Sequence, residues 1–176
     1  ADTTGEIGRS AFRGCVSLVS VSLPVEMSSI GGYAFYGCAS LRTFTVPYGI
    51  EEIAHCTFYG CLLLYSVQVS KTVKVIGENA FEGCISLLMF DTGDGVEEIG
   101  DEAFKGCWSL VIIDIGAGFS RIGERIFEGC ASLRAINVSK DNTACSSIDG
   151  VMFSGTTLFM YPQGREGAYT VPNGAT

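Results

Sequence analysis

Eight cysteines, one histidine and a pair of aspartates are the residues of this 176-residue chain that could do chemistry. Six of the cysteines, Cys15, Cys38, Cys61, Cys84, Cys107 and Cys130, recur at one interval of 23 residues. Such a column could be a disulfide framework, a metal set or a ladder of small apolar side chains. The spacing favours the ladder, because it places equivalent cysteines one repeat apart with Phe, Ala and Leu beside them. All six are expected to be buried, reduced and unreactive until the chain unfolds. Cys56 and Cys145 fall outside the column. Cys56 shares its position with Ser10, Tyr33, Asn79, Glu102 and Arg125, which reads as exposed.

Other constellations are weaker. His55, Cys56 and Cys61 are close in sequence, but a structural zinc site needs four ligands, His55 is the lone histidine and Cys61 belongs to the ladder. A lone His also removes most nucleophile–base pairs. We therefore expect no metal, no cofactor and no enzymatic activity. Gly93-Asp94-Gly95 sits where other repeats carry Pro47-Tyr48-Gly49 or Gly116-Ala117-Gly118, so it reads as a turn and not a phosphate loop. Asn137-Val138-Ser139 fits the glycosylation pattern, which is common by chance. Asp91 and Asp114 share one column and should project from neighbouring strands about 5 Å apart, a separation that overlaps the one retaining glycosidases use. A shallow sheet offers no cleft, so the readings rank as solvated acids, contacts for a basic partner, a weak cation site and, last, an enzyme.

The elements that must hold these residues repeat. Phe12, Phe35, Phe58, Phe81, Phe104 and Phe127 each carry Gly at +2, Cys at +3 and Leu at +6, with Ile at −5. One such unit cannot bury its own apolar face, whereas stacked units bury a shared core. Segments such as Leu41–Val46 and Leu110–Ile115 alternate at their ends as half-buried strands do. The stretch Ile-Gly-x-x-Ala-Phe-x-Gly-Cys is short and suggests a helical or 3₁₀ turn closed by Gly. The expected fold is an α/β solenoid: a right-handed coil of 23-residue units, one parallel strand per unit, with short helical or 3₁₀ turns opposite. Residues 1–139 read as six regular repeats. Residues 140–176 read as an irregular seventh, with extra residues within Lys140–Ser147, and the start of an eighth at Tyr169–Pro172. Ala1-Asp2-Thr3-Thr4 lacks a Met and a signal-peptide pattern, so the sequence reads as a fragment.

The order Cys-x-x-Leu-x-x-Ile-x-Leu-Pro followed by Ile-Gly-x-x-Ala-Phe-x-Gly-Cys resembles the BspA-like class of leucine-rich repeats. The stretch Cys15–Cys38 shows it most fully, and Ser147–Gly174 is similar to a variant unit of that class. Local departures are Ala54, Thr57, Ile126 and Asp91-Thr92-Gly93. The resemblance implies secretion or cell-surface display and adhesion to host matrix proteins or to other cells. It carries over no site residues.

Composition agrees with a binding role. With 47% hydrophobic and 17% charged residues the chain should be ordered. A net charge of −8 argues against nucleic acid and anionic membrane surfaces. No apolar run approaches the roughly 20 residues of a spanning helix. Outward strand positions are mostly small or polar, as at Ser20, Ser22, Thr43 and Thr45. Two units break that habit with Leu88, Met89, Val111 and Ile112, flanked by Tyr65 and Arg134 and rimmed by Asp91, Asp114 and Gln68. These residues are the expected protein-binding patch. The rival reading is an architectural array that spaces or anchors another domain.

Overall fold

The computed structural model describes residues 5–175. Ala1–Thr4 and Thr176, the expected ends of the first and eighth units, lie outside the described residues. The chain winds into a β-solenoid with two short parallel sheets on different sides of each coil. The early coils carry β1 (Gly5–Ile7), β2 (Met27–Ile30), β3 (Thr43–Thr45), β4 (Glu52–Ile53) and β5 (Ser66–Gln68). The next carry β6 (Val75–Ile76), β7 (Met89–Asp91), β8 (Glu98–Ile99), β9 (Ile112–Ile115), β10 (Arg121–Ile122) and β11 (Ala135–Val138). On one side β3 pairs with β5, and β9 pairs with β7 and with β11, in strict 23-residue register: Met89 faces Ile112, which faces Ala135. On the other, β4, β6, β8 and β10 align Ile53, Ile76, Ile99 and Ile122.

The expected helical turns are absent: among the described residues there is no helix, so the fold is all-β and not α/β. The hydrogen bonding shows why. Between Gly31 and Cys38 alternate amides bond locally, Ala34 N to Gly31 O and Tyr36 N to Tyr33 O. The others cross to the next coil: Tyr33 N to His55 O, Phe35 N to Thr57 O and Gly37 N to Tyr59 O. A helix would keep all of them within the segment. The switch is made by left-handed residues at both ends, Tyr33 (φ 59°) and Gly37 (φ 69°), repeated in every coil to Arg125 and Gly129. A helical run cannot pass through such residues. The crossing bonds satisfy backbone groups that the turn would otherwise strand.

The core is a set of ladders. Rings Phe12, Phe35, Phe58, Phe81, Phe104 and Phe127 stack at 5.0, 5.5, 5.3, 5.2 and 5.8 Å. Phe44 and Phe90 wedge edge-on between successive rings. Cys38, Cys61, Cys84, Cys107 and Cys130 are buried free thiols. Each thiol donates to the carbonyl of the Phe 26 residues earlier, at 3.1–3.2 Å. Cysteine suits the position because it is small and apolar enough for the core yet carries a weak donor. Cys15 departs from the expectation and is exposed. It lies in the first described coil, against which one other described coil packs.

After β11 the coil gives way to an antiparallel meander, β12 (Ser146–Ile148), β13 (Val151–Ser154) and β14 (Thr157–Met160). Asp149 (φ 50°) and Gly150 (φ 73°) form the two-residue hairpin loop that such φ values permit. The Gly150 carbonyl takes the Ile136 amide, docking the meander onto β11. Asn142 pins the extra residues: its amide donates to the carbonyls of Gly116, Ala117 and Phe119, and its oxygen accepts from the amides of Ala144 and Cys145. Phe153 is buried, but Ile148 is exposed in the hairpin and does not continue the Ile ladder. Tyr169–Pro172 carries no strand.

Candidate functional site

The strands β5, β7, β9 and β11 point alternate side chains outward, because inward positions such as Phe90 and Ile113 fill the core. Backbone bonds align the residue before each strand: Tyr65 N to Arg42 O, Val111 N to Leu88 O, Arg134 N to Val111 O. Leu88, Met89 and Tyr65 are 51, 56 and 47% exposed. Val111 and Ile112 are half-buried and Arg134 is exposed. The sequence-derived residues therefore lie on neighbouring strands, with Met89 in register with Ile112 and the Val111 amide donating to the Leu88 carbonyl. Large apolar side chains left open to water on a rigid sheet gain about 25 cal/mol per Å² when a partner covers them.

A polar row borders them. Asp91 and Asp114 face each other in register, but each carboxylate takes its own donor. Asp114 Oδ1 accepts from Asn137 Nδ2 at 2.8 Å, and Asp91 Oδ1 accepts from the Gly93 amide at 2.8 Å. The two carboxylates thus take separate hydrogen-bond donors. Gln68 extends the row by accepting from Thr45 Oγ1 at 3.1 Å. Gly93-Asp94-Gly95 is a turn, with Asp94 Oδ1 accepting from the Ala117 amide. His55 stands edge-on to Tyr33 at 5.0 Å and fills the space that a side chain at Gly32 would need. Among the described residues, no three His, Cys, Asp or Glu side chains are placed to hold a metal ion.

Burial sets the thiol chemistry. Desolvation pushes Cys61 and Cys130 up to about 12 and Cys84 and Cys107 well above the ordinary thiol value. Cys56 is half-buried rather than exposed, and burial raises its thiol too.

Sequence reasoning missed Leu62, Leu63 and Trp108, which are 42, 46 and 62% exposed. The signal was present. The residue after each ladder Cys is apolar in all six units (Val16, Ala39, Leu62, Ile85, Trp108, Ala131), although it follows a turn. The next is Ser in every unit except at Leu63.

The family profile described as "BspA type Leucine rich repeat region" matches six copies over residues 5–134 and 51–161. The chain belongs to the BspA-type leucine-rich-repeat family. Solved structures of this kind agree. A leucine-rich repeat protein from Bacteroides ovatus is 39% identical with a TM-score of 0.71, over 80% of this chain and 36% of its own. The T. pallidum leucine-rich repeat protein is 37% identical with a TM-score of 0.72, over 74% of this chain and 61% of its own. A leucine rich cell surface protein from Faecalibacterium prausnitzii is 29% identical with a TM-score of 0.64, over 97% of this chain and 40% of its own. This chain thus spans between about a third and three fifths of the length of these BspA-type relatives. No curated protein matches it. No helix among the described residues is long and apolar enough to cross a membrane.

Proposed function

We propose that this chain is a non-catalytic protein-binding module, displayed on or outside the cell, that grips a partner through its strand-lined face. The observation that carries this reading is the contiguous patch of Tyr65, Leu88, Met89, Val111 and Ile112 with Asp91, Asp114 and Arg134 at its margin. An apolar centre, a polar rim and an aromatic and an Arg at the edge are the composition of binding hot spots. The partner class we favour is a protein of a host matrix or of another cell. The surface location draws support from the name of the Faecalibacterium relative. A second reading, an architectural spacer, is favoured by the small polar residues Ser20, Ser22, Thr43 and Thr45 on the outward face of the first two coils. In either case we read residues 1–139 as six regular repeats and 140–176 as an irregular seventh with the start of an eighth.

The test is the double variant Met89→Ser and Ile112→Ser, assayed by surface plasmon resonance against a panel of purified matrix proteins. Both side chains point outward, so melting should hardly change, while affinity for any matrix protein that the wild type binds should fall at least tenfold. Full-strength binding by the variant would move the functional surface elsewhere. No binding by the wild type would favour the spacer.

A further inference from the structure

A trough runs along the coil axis on the turn side, separated from the strand face by the Cys and Leu ladders. Its floor is the column Gly60, Gly83, Gly106 and Gly129. One wall is Leu62, Ile85 and Trp108, and the other is Tyr59, Glu82 and Glu128. It encloses about 420 Å³. The glycines are held at φ of 67–77°, a region that other side chains rarely adopt, so the floor stays bare. Lys105 also stands on the second wall, but its ammonium is taken by Glu102 at 2.8 Å.

We propose that this trough binds a proline-rich segment in the polyproline II conformation that carries basic residues. Pitch selects the conformation. Successive coils are about 4.8 Å apart, so the exposed Leu62 and Trp108, two coils apart with the less exposed Ile85 between them, stand at an interval of about 9.6 Å. A polyproline II helix repeats every three residues, about 9.3 Å, and can set an equivalent side chain against each wall residue. An extended β-type peptide repeats every two residues, about 6.7 Å, and matches neither one coil nor two.

Chemistry agrees with geometry. Polyproline II has no internal hydrogen bonds, so its carbonyls are free to accept from the Tyr59 hydroxyl and the Trp108 indole N–H. Its conformation is already set, which lowers the entropy lost on docking in an aromatic-lined groove. Charge decides the decoration. Lys105 and Arg125 both pair with Glu102, so with Glu82 and Glu128 this wall keeps an excess of one negative charge in a chain of net charge −8, which favours Arg or Lys on the ligand. This site is independent of the strand-face reading.

The experiment uses the whole chain and a twelve-residue synthetic peptide repeating Pro-Pro-Arg. Trp108 is the sole tryptophan, so its emission reports on the trough directly. A saturable spectral shift is expected. Calorimetry should show affinity reduced at least tenfold by Trp108→Ala, largely restored by Trp108→Phe, and weakened several-fold by Glu82→Gln with Glu128→Gln. Unchanged melting temperatures would show that these variants fold. The Met89→Ser and Ile112→Ser double variant should bind the peptide normally. Equal binding of a Gly-Gly-Arg peptide would reduce the effect to charge and overturn the proposal. Tighter binding of Pro-Pro-Glu, a response only to a neutral hexasaccharide, or no response to millimolar Pro-Pro-Arg would also overturn it.

Discussion

The coil of Phe81, Cys84 and Leu87 and the first coil of Phe12, Cys15 and Leu18 carry the same apolar residues at the same offsets. In the fourth coil all three are 0% exposed. In the first, Phe12 and Leu18 are half-buried, Cys15 is open, and no strand forms between Leu18 and Pro24. The same ladder residues therefore meet different surroundings in the two coils. Among the described residues the fourth coil has a stacked neighbour on each side and the first has one. Burial in this fold is a property of the stack, as expected where stability is a sum of repeat and nearest-neighbour terms. A single unit supplies the pattern, and its neighbours supply the core.

The largest test of that contrast is alkaline. A buried thiol stays protonated in the folded protein above the pH at which it ionises in the unfolded chain, near 9. The unfolded state then binds fewer protons, so stability is intact below pH 9 and falls as pH rises towards the folded values of about 12. Each fully shifted thiol contributes about 1.4 kcal/mol per pH unit, so Cys61, Cys84, Cys107 and Cys130 together give a slope of roughly 5 kcal/mol per unit. Urea unfolding at pH 8.5, 9.5 and 10.5 should show it. Replacing Cys84 and Cys107 by Ala should lower stability at neutral pH but roughly halve the slope. A flat profile would mean that the inner thiols are as hydrated as Cys15.

The next effect is aromatic. Phe81→Ala should cost about 3–5 kcal/mol, because the ring is stacked on both sides and the cavity cannot collapse. Phe12→Ala should cost under about 2 kcal/mol, since part of its surface already meets water. Equal changes in denaturation midpoint would erase the distinction between inner and terminal coils. The smallest effect is kinetic and leaves stability untouched. A thiol reagent should label Cys15 in the native protein within minutes, while Cys84 and Cys107 react only on the unfolding timescale. Peptide mapping would identify the modified residues, and prompt labelling of Cys84 would break the comparison.

Much of this was legible in the sequence. The Phe, Cys, Leu and Ile columns gave the period and the inner ladders, and alternation along Leu88–Asp91 and Val111–Asp114 gave the outward strand face. The turn conformation was hidden because the residue that breaks the helix is Ser10, Tyr33, Cys56, Asn79, Glu102 or Arg125. Only Asn is a residue type that signals a left-handed φ, so the column carries no chemical signature. The two-residue strands such as Glu98–Ile99 were equally silent, since pairing across coils and not local pattern creates them. The closing meander had a readable cue in Asp149-Gly150, flanked by Ser147-Ile148 and Val151-Met152, a common hairpin dipeptide. The five-residue offset from Ile148 to Phe153 masked it by imitating another repeat. The wall of Leu62 and Trp108 was overlooked because an apolar residue beside a core Cys looks buried.

The rungs between coils lie along the coil axis, so a pull on the two ends of the chain loads them one coil at a time. Detaching a coil releases 23 residues, about 78 Å of extended chain at roughly 3.4 Å per residue, in exchange for about 5 Å of coil rise. The inner coils resemble one another closely, so successive detachments need similar forces. The meander, built of antiparallel strands, is held by a different pattern of bonds. Under tension such a chain should lengthen in near-equal increments, one coil at a time.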